Sequence, residues 1–125
     1  MSADHTRRTE ETARRYFDAW TSRDGSTVAA LLASDFRFAS SAMAIEGKDA
    51  FLSASAFPRD AMTTMVAEAY QGEIAFQMYD ATRGANQVRI VEQLTVRDGL
   101  IRSSNFVADM SAFITLMNPA DKGPA

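Results

Sequence analysis

The chain has 125 residues, 46% of them apolar, and 13 Lys plus Arg stand against 16 Asp plus Glu for a formal charge of −3; this is the arithmetic of one globular domain. A chain of that size buries very roughly two thirds of the surface it exposes unfolded, so it needs no disulfide or metal to hold a core. With no Cys and a single His, thiol chemistry, iron–sulfur clusters, Cys- or His-built metal sites and a Ser/His/Asp triad are excluded, and the charge balance offers no footprint for nucleic acid or for a membrane surface.

The stretch Met1–Glu10, which holds His5, is polar where a signal peptide would need an apolar core. Residues 1–8 read as a tail, no apolar run approaches the roughly 18 residues of a membrane span, and the protein is expected to be soluble and cytoplasmic. Ala13, Tyr16, Phe17 and Trp20 fall on one helical face, which predicts a first helix over about 6–22. Asp24 or Ser26 can cap a second helix with Val28, Leu31 and Leu32 on its apolar face, ending near Ala33. In 35–40 the alternation of Phe36 and Phe38 predicts a strand, Met43–Ile45 a second short one, and Gly47-Lys48-Asp49 opens a third helix that Phe57-Pro58 stops. Strands are then expected over 63–70 and 73–80 around Gln71-Gly72, and over 87–97 and 100–109 around Asp98-Gly99, with a looser connection at 82–86. From Ser111 on the chain reads as a short helical or extended segment that frays, with 118–125 as a tail.

Helices first and long antiparallel strands second is an α+β order, closed most naturally by a curved, cone-like antiparallel sheet wrapped around about three N-terminal helices. Such a sheet leaves a concave apolar space that either fills with side chains or admits a ligand. One residue breaks the pattern of the strand 87–97. Its even positions are Val88, Ile90, Glu92, Leu94 and Val96, so Glu92 is placed on the apolar face. Desolvation raises a carboxyl pKa, and such a group can serve as general acid or base; the alternative is a structural glutamate held by a Tyr or Ser hydroxyl or by an Arg. Tyr16 on the inward stripe of the first helix is the second catalytic candidate. Trp20, Phe36, Phe38, Ser40, Phe57, Phe76, Met78, Ile90 and Phe106 are candidates for the walls of a substrate pocket, with Ile74, Phe76 and Met78 expected to share the concave face with Phe36, Phe38 and Ile90. Asp80 reads as solvated at a strand end, and Asp109 either closes the pocket rim or caps the segment that follows.

The strings Arg15-Tyr16-Phe17-Asp18-Ala19-Trp20, Leu31-Leu32-Ala33-Ser34-Asp35-Phe36, Ile45-Glu46-Gly47-Lys48-Asp49-Ala50-Phe51 and Leu94-Thr95-Val96-Arg97-Asp98-Gly99-Leu100-Ile101 resemble the nuclear transport factor 2-like superfamily, more narrowly its SnoaL-like and ketosteroid-isomerase-like branch, over about residues 9–110. The resemblance implies an α+β cone and commonly a homodimer. In the isomerases of that branch a helix-one Tyr and a late-strand acid donate to a dienolate oxyanion while an Asp closing the first strand shuttles the proton. Tyr16 and Glu92 match the first two positions and Ser40 the third, and a serine cannot serve as that base. The epoxide-hydrolase branch needs Arg and Asp two apart on one face, whereas Arg89 lies three before Glu92 on the other. These chemistries use no cofactor and no metal. The resemblance therefore implies a cofactor-free isomerase- or cyclase-like protein acting on a small apolar carbonyl-bearing or polycyclic molecule, or a non-catalytic binding or dimeric scaffold of the same fold.

Overall fold

The computed structural model describes residues 2–54 and 57–118. Helix α1 (Ser2–Thr21) leads into α2 (Gly25–Leu31), then strands β1 (Leu32–Ala39) and β2 (Ala44–Glu46), helix α3 (Lys48–Ala54), strands β3 (Met62–Gln71), β4 (Ile74–Arg83), β5 (Asn86–Arg97) and β6 (Leu100–Val107), and helix α4 (Met110–Met117). Three N-terminal helices and a later block of long strands match the expected α+β order. The six strands form one sheet in the order β2-β1-β6-β5-β4-β3. It is mixed rather than wholly antiparallel, because β1 and β6 run parallel. The register shifts by one residue at Met65/Ala67 and at Thr95/Val96, as a bulge shifts it where a strand bends, and the β1–β6 pairing is irregular between Leu32 and Arg37.

Local physics explains most boundaries. Helix α1 begins at Ser2, earlier than residue 6, so residues 2–8 of the expected tail lie in the helix; residue 1 and the part of the expected C-terminal tail from 119 on lie outside the described residues. Asp24 caps α2 by accepting from the Thr27 backbone N–H, one of the helix's orphan donors. That helix stops at Leu31, short of Ala33, because Leu32 already pairs with Ile101 of β6; the sheet overrides helical propensity. Asp98 and Gly99, with φ of 56° and 74°, make the tight β5–β6 turn whose two positive φ values match the twist of the strands. The segment after Ser111 is a packed helix, with Met110, Phe113 and Leu116 buried, where fraying was expected.

The core lies between the helices and the inner face of the sheet and is rich in aromatic rings. Phe51 meets Phe36 with centroids 5.0 Å apart and Phe38 at 5.4 Å, Phe106 meets Phe38 at 5.4 Å and Phe113 at 4.9 Å, all within the range of favourable ring pairs. Strand β4 departs from expectation. Ala75, Gln77, Tyr79 and Ala81 are its buried set, whereas Phe76 is 48% exposed, so Ile74, Phe76 and Met78 stand on the outer face. The reason is register: Gln77 pairs with Glu92, Tyr79 with Ile90 and Ala81 with Val88, and paired residues of an antiparallel ladder share a face.

Candidate functional site

Glu92 is 2% exposed and stands on the inner face of β5, as the alternation predicted. Tyr79 donates its hydroxyl proton to Glu92 Oε1 at 2.8 Å, and Ser104 of β6 donates to Oε2 at 2.9 Å. Trp20 of α1 donates its indole N–H to the Tyr79 hydroxyl at 3.3 Å. Among the described residues no Arg or Lys pairs with Glu92, and the partners of its carboxyl are the hydroxyls of Tyr79 and Ser104. Burial pushes its pKa up, while the hydrogen bonds from Tyr79 and Ser104 restrain the rise. Burial likewise raises Tyr79 and Tyr16 well above the ordinary phenol value, and the negative charge of Glu92 adds to both. The two phenols are therefore neutral at any ordinary pH.

Tyr16, 1% exposed, is near enough to Glu92 to feel its charge, but among the described residues no hydrogen bond joins them. The hydroxyl that engages the acid directly is that of Tyr79.

A cavity of about 320 Å³ opens between α3, α4 and the β2-β1-β6 end of the sheet. Trp20, Phe38 and Phe106 form its floor, Ile45 and Phe51 a side, and Phe113, Ile114 and Met117 of α4 its far wall. No titratable side chain is among these lining residues. Glu92 lies behind the floor: Trp20 reaches it through Tyr79, and Phe106 is its register partner in β6.

The wall candidates divide accordingly. Trp20, Phe38 and Phe106 line the cavity. Phe36 and Ile90 are core, each 0% exposed. Phe57 packs on Trp20 at 5.4 Å and walls a second hollow of about 230 Å³ behind it. Phe76 and Met78 are corrected to the outer face. Ser40 spends its Oγ accepting from the backbone N–H groups of Ala42 and Met43 in the β1–β2 turn, so it is a turn residue here. Asp109 caps α4, accepting from Ala112 N–H at 3.1 Å. Asp80 is gripped by two hydrogen bonds from Arg89, at 2.8 and 3.0 Å, where a solvated carboxylate was expected.

The SnoaL-like domain family model matches residues 13–104. The chain belongs to that family. Its fold is that of the nuclear transport factor 2-like superfamily. A candidate ketosteroid isomerase from Kribbella flavida is 29% identical, with a TM-score of 0.77 over 82% of this chain and 78% of its own. A candidate SnoaL-like polyketide cyclase from Jannaschia is 20% identical, with a TM-score of 0.78 over 95% of each chain, and an LEH-like epoxide hydrolase from M. tuberculosis is 15% identical, with a TM-score of 0.68 over 90% of each. At those last two identities the likeness is one of fold. No curated protein matches the sequence.

The SnoaL-like chain thus contains a buried polar set that sequence reasoning found only at its centre. Tyr79, Ser104 and Gln77 were missed. Gln77 is 1% exposed, sits opposite Glu92 in the ladder, and donates its side-chain N–H to the Tyr70 hydroxyl at 3.1 Å, which in turn donates to Glu68 at 2.6 Å. The signal was available in the β4–β5 connection: Arg83 pairs with Asn86 across two turn residues, and counting back along both strands from that pair puts Gln77 against Glu92.

Proposed function

We propose that this SnoaL-like protein takes a small apolar, carbonyl-bearing or polycyclic molecule into the cavity beneath α4, without cofactor or metal, and that its primary role is to bind it. The observation that carries this reading is the chemistry of the lining: the cavity has the volume of a small-molecule site, at the low end of the usual range, and its wall residues are apolar or aromatic apart from Asn118. A molecule held there gains from apolar burial and ring contact, with no ionisable group of the wall against it.

Trp20 is the sole tryptophan and part of the floor, so its fluorescence reports occupancy directly. Titration with uncharged ketones, from acetophenone to the naphthyl ketone prodan, is expected to change Trp20 emission saturably, and Ala54→Leu, which thickens the α3 wall, should weaken the tightest of them by about tenfold. Absence of saturable change across the series sinks the reading.

A second reading, isomerase- or cyclase-type proton transfer, draws on one observation: Glu92 is a buried acid whose pKa burial raises, with no counter-ion among the described residues, and a desolvated carboxyl of that kind can serve as general acid or base. In that reading Glu92 is the proton-transfer group and Tyr79 the donor that orients it. A bound ketone whose α-protons exchange with deuterated solvent in wild type and not in Glu92→Gln would favour turnover; equal exchange rates in both would remove Glu92 from the chemistry.

The outer face of the sheet fits a partner better than it fits water. Phe76 of β4 and Val107 of β6 are 48% and 64% exposed, and Met78 and Val91 lie between them. We propose that this face meets a second copy of the chain in a cytoplasmic homodimer. Light scattering is expected to give twice the chain mass for wild type and the monomer mass for Phe76→Glu; a monomeric wild type would exclude it. No nucleic acid or membrane is proposed as a partner, and no helix among the described residues is long and apolar enough to cross a membrane.

A further inference from the structure

Arg83, the last residue of β4, lines neither hollow and touches none of the Glu92 partners, yet its guanidinium ties the turn at Asp60 to α4, which walls the cavity. Its Nε lies 2.6 Å from Asp60 Oδ1, in the turn that follows α3. Its Nη1 donates to the Leu116 carbonyl at 2.8 Å and reaches the Met117 carbonyl at 3.5 Å. Those carbonyls belong to the last turn of α4, whose acceptors have no partner inside the helix, and a cation there also meets the negative end of the helix dipole. The Arg83 side chain is largely shielded and that of Asp60 largely exposed, so the Asp60 arm is a screened surface pair and the α4 arm is the protected contact.

Helix α4 needs that contact. It has eight residues, too few to hold its own shape in water, and the points that fix it are distributed along its length. Its first turn is tied by the Asp109 cap, its middle by Phe113 on Phe106, and its end by buried Leu116 and by Arg83. Ile114 and Met117, on that end, are cavity wall, and Ile114 is already half in solvent. A movement that swings the end of α4 outward therefore opens the cavity without unpairing the strands, and the groups it must release are Phe113 and Leu116 from the core and two carbonyls from one guanidinium.

We propose that Arg83 is the latch of the cavity: α4 pivots at its Asp109 cap, and release of the Leu116 and Met117 carbonyls by Arg83 admits and discharges the ligand. The inference rests on the cavity being a binding site, and Arg83 acts on it by position alone, through α4. Burial of Phe113 and Leu116 keeps the open form rare, and Arg83 sets how rare it is.

The test uses the full chain, with Arg83→Met, which keeps the aliphatic stem and removes the fork, and Arg83→Lys, which keeps the charge without the fork's geometry. Hydrogen exchange is followed at the amides of residues 113–118 and at those of β5, and prodan binding is followed by stopped-flow Trp20 fluorescence. In Arg83→Met the end of α4 is expected to exchange about tenfold faster with β5 unchanged, and prodan should enter and leave faster by similar factors at nearly constant affinity; Arg83→Lys should fall between. A purely structural arginine predicts something else, exchange rising in β5 as much as in α4, and that result overturns the latch. Entry and exit rates unchanged in Arg83→Met, with a wild type that binds prodan, also overturn it and leave the cavity reading standing. A wild type that binds none of the ketones removes the cavity reading and the latch together.

Discussion

Glu92 exchanges a large solvation energy for two hydroxyl hydrogen bonds, and the balance is visible in how stability should vary with pH. Its native pKa is raised above the ordinary carboxyl value, so in the window between the two the folded protein binds the proton that the unfolded chain has lost. Stability contributed by this group therefore falls as pH rises through that window and levels off above the native pKa. Glu68, Glu73 and Asp80 have the opposite sign: Arg14 lowers the first, Arg97 the second and Arg89 the third, so their contribution is present above the ordinary carboxyl value and is lost as pH falls through the depressed one. The Glu92 effect is thus read as a difference. Urea unfolding of wild type and Glu92→Gln across acid to neutral pH is expected to show the variant gaining on wild type as pH rises, with a near-neutral or slightly favourable effect at pH 7 because a buried charge liability is gone; parallel curves would mean an unperturbed carboxyl. Tyr79→Phe acts on the same set from the other side. It removes one of the two donors to Glu92 and strips the Trp20 indole of its acceptor, at a cost of about 1–3 kcal/mol for the buried groups left unpaired, and Trp20 emission should shift while that of Tyr16→Phe moves little.

At the scale of elements, what was legible and what was not follows from which interaction sets each choice. The β5–β6 hairpin was legible because it is local: Asp98-Gly99 adopts two positive φ angles that few other dipeptides accept. Gly99→Ala should cost about 1 kcal/mol by backbone strain alone, since nothing lies within 4 Å of where the new methyl would sit; a loss much larger, in chemical denaturation, would imply a contact instead. The period of β4 was also legible, but its phase was not, because Ile74, Phe76 and Met78 are more apolar than Ala75, Gln77 and Tyr79 and hydropathy alone assigns them inward. Pairing with β5 decides otherwise, placing small Ala75 and Ala81 under the helices and polar Gln77 and Tyr79 beside Glu92. The same non-local control ended α2 at Leu31 and made a packed wall of the segment after Ser111. Of the candidate site, Glu92 was legible because it violated its own strand's pattern. Tyr79 and Ser104 were not, since a Tyr on the less apolar face of β4 and a Ser in a mixed strand violate nothing.

The whole molecule has three tyrosines, and all three are displaced in the same direction. Tyr16 and Tyr79 are raised well above the ordinary phenol value by burial and by Glu92, and Tyr70 is pushed up to about 12, first by burial and then by its hydrogen bond to Glu68. Each phenol that stays protonated in the fold while its unfolded counterpart ionises makes stability fall as pH rises past about 10, by about 1.4 kcal/mol per pH unit for a buried group such as Tyr16 or Tyr79. The surface pairs Arg89–Asp80 and Arg97–Glu73 do little to offset this, because both guanidiniums are open to solvent and the pairs are screened by salt. Alkaline denaturation should therefore be steep and coupled to phenol ionisation. Followed together, tyrosinate absorbance and far-ultraviolet circular dichroism are expected to change in one step, above pH 10, with no tyrosinate forming while the fold persists. A tyrosinate step near pH 10 with the circular dichroism intact would mean that at least one ring is in ordinary contact with water. Tyr16 and Tyr79 would be the informative pair to substitute next, because both belong to the core that packs α1 against the sheet and buries Glu92.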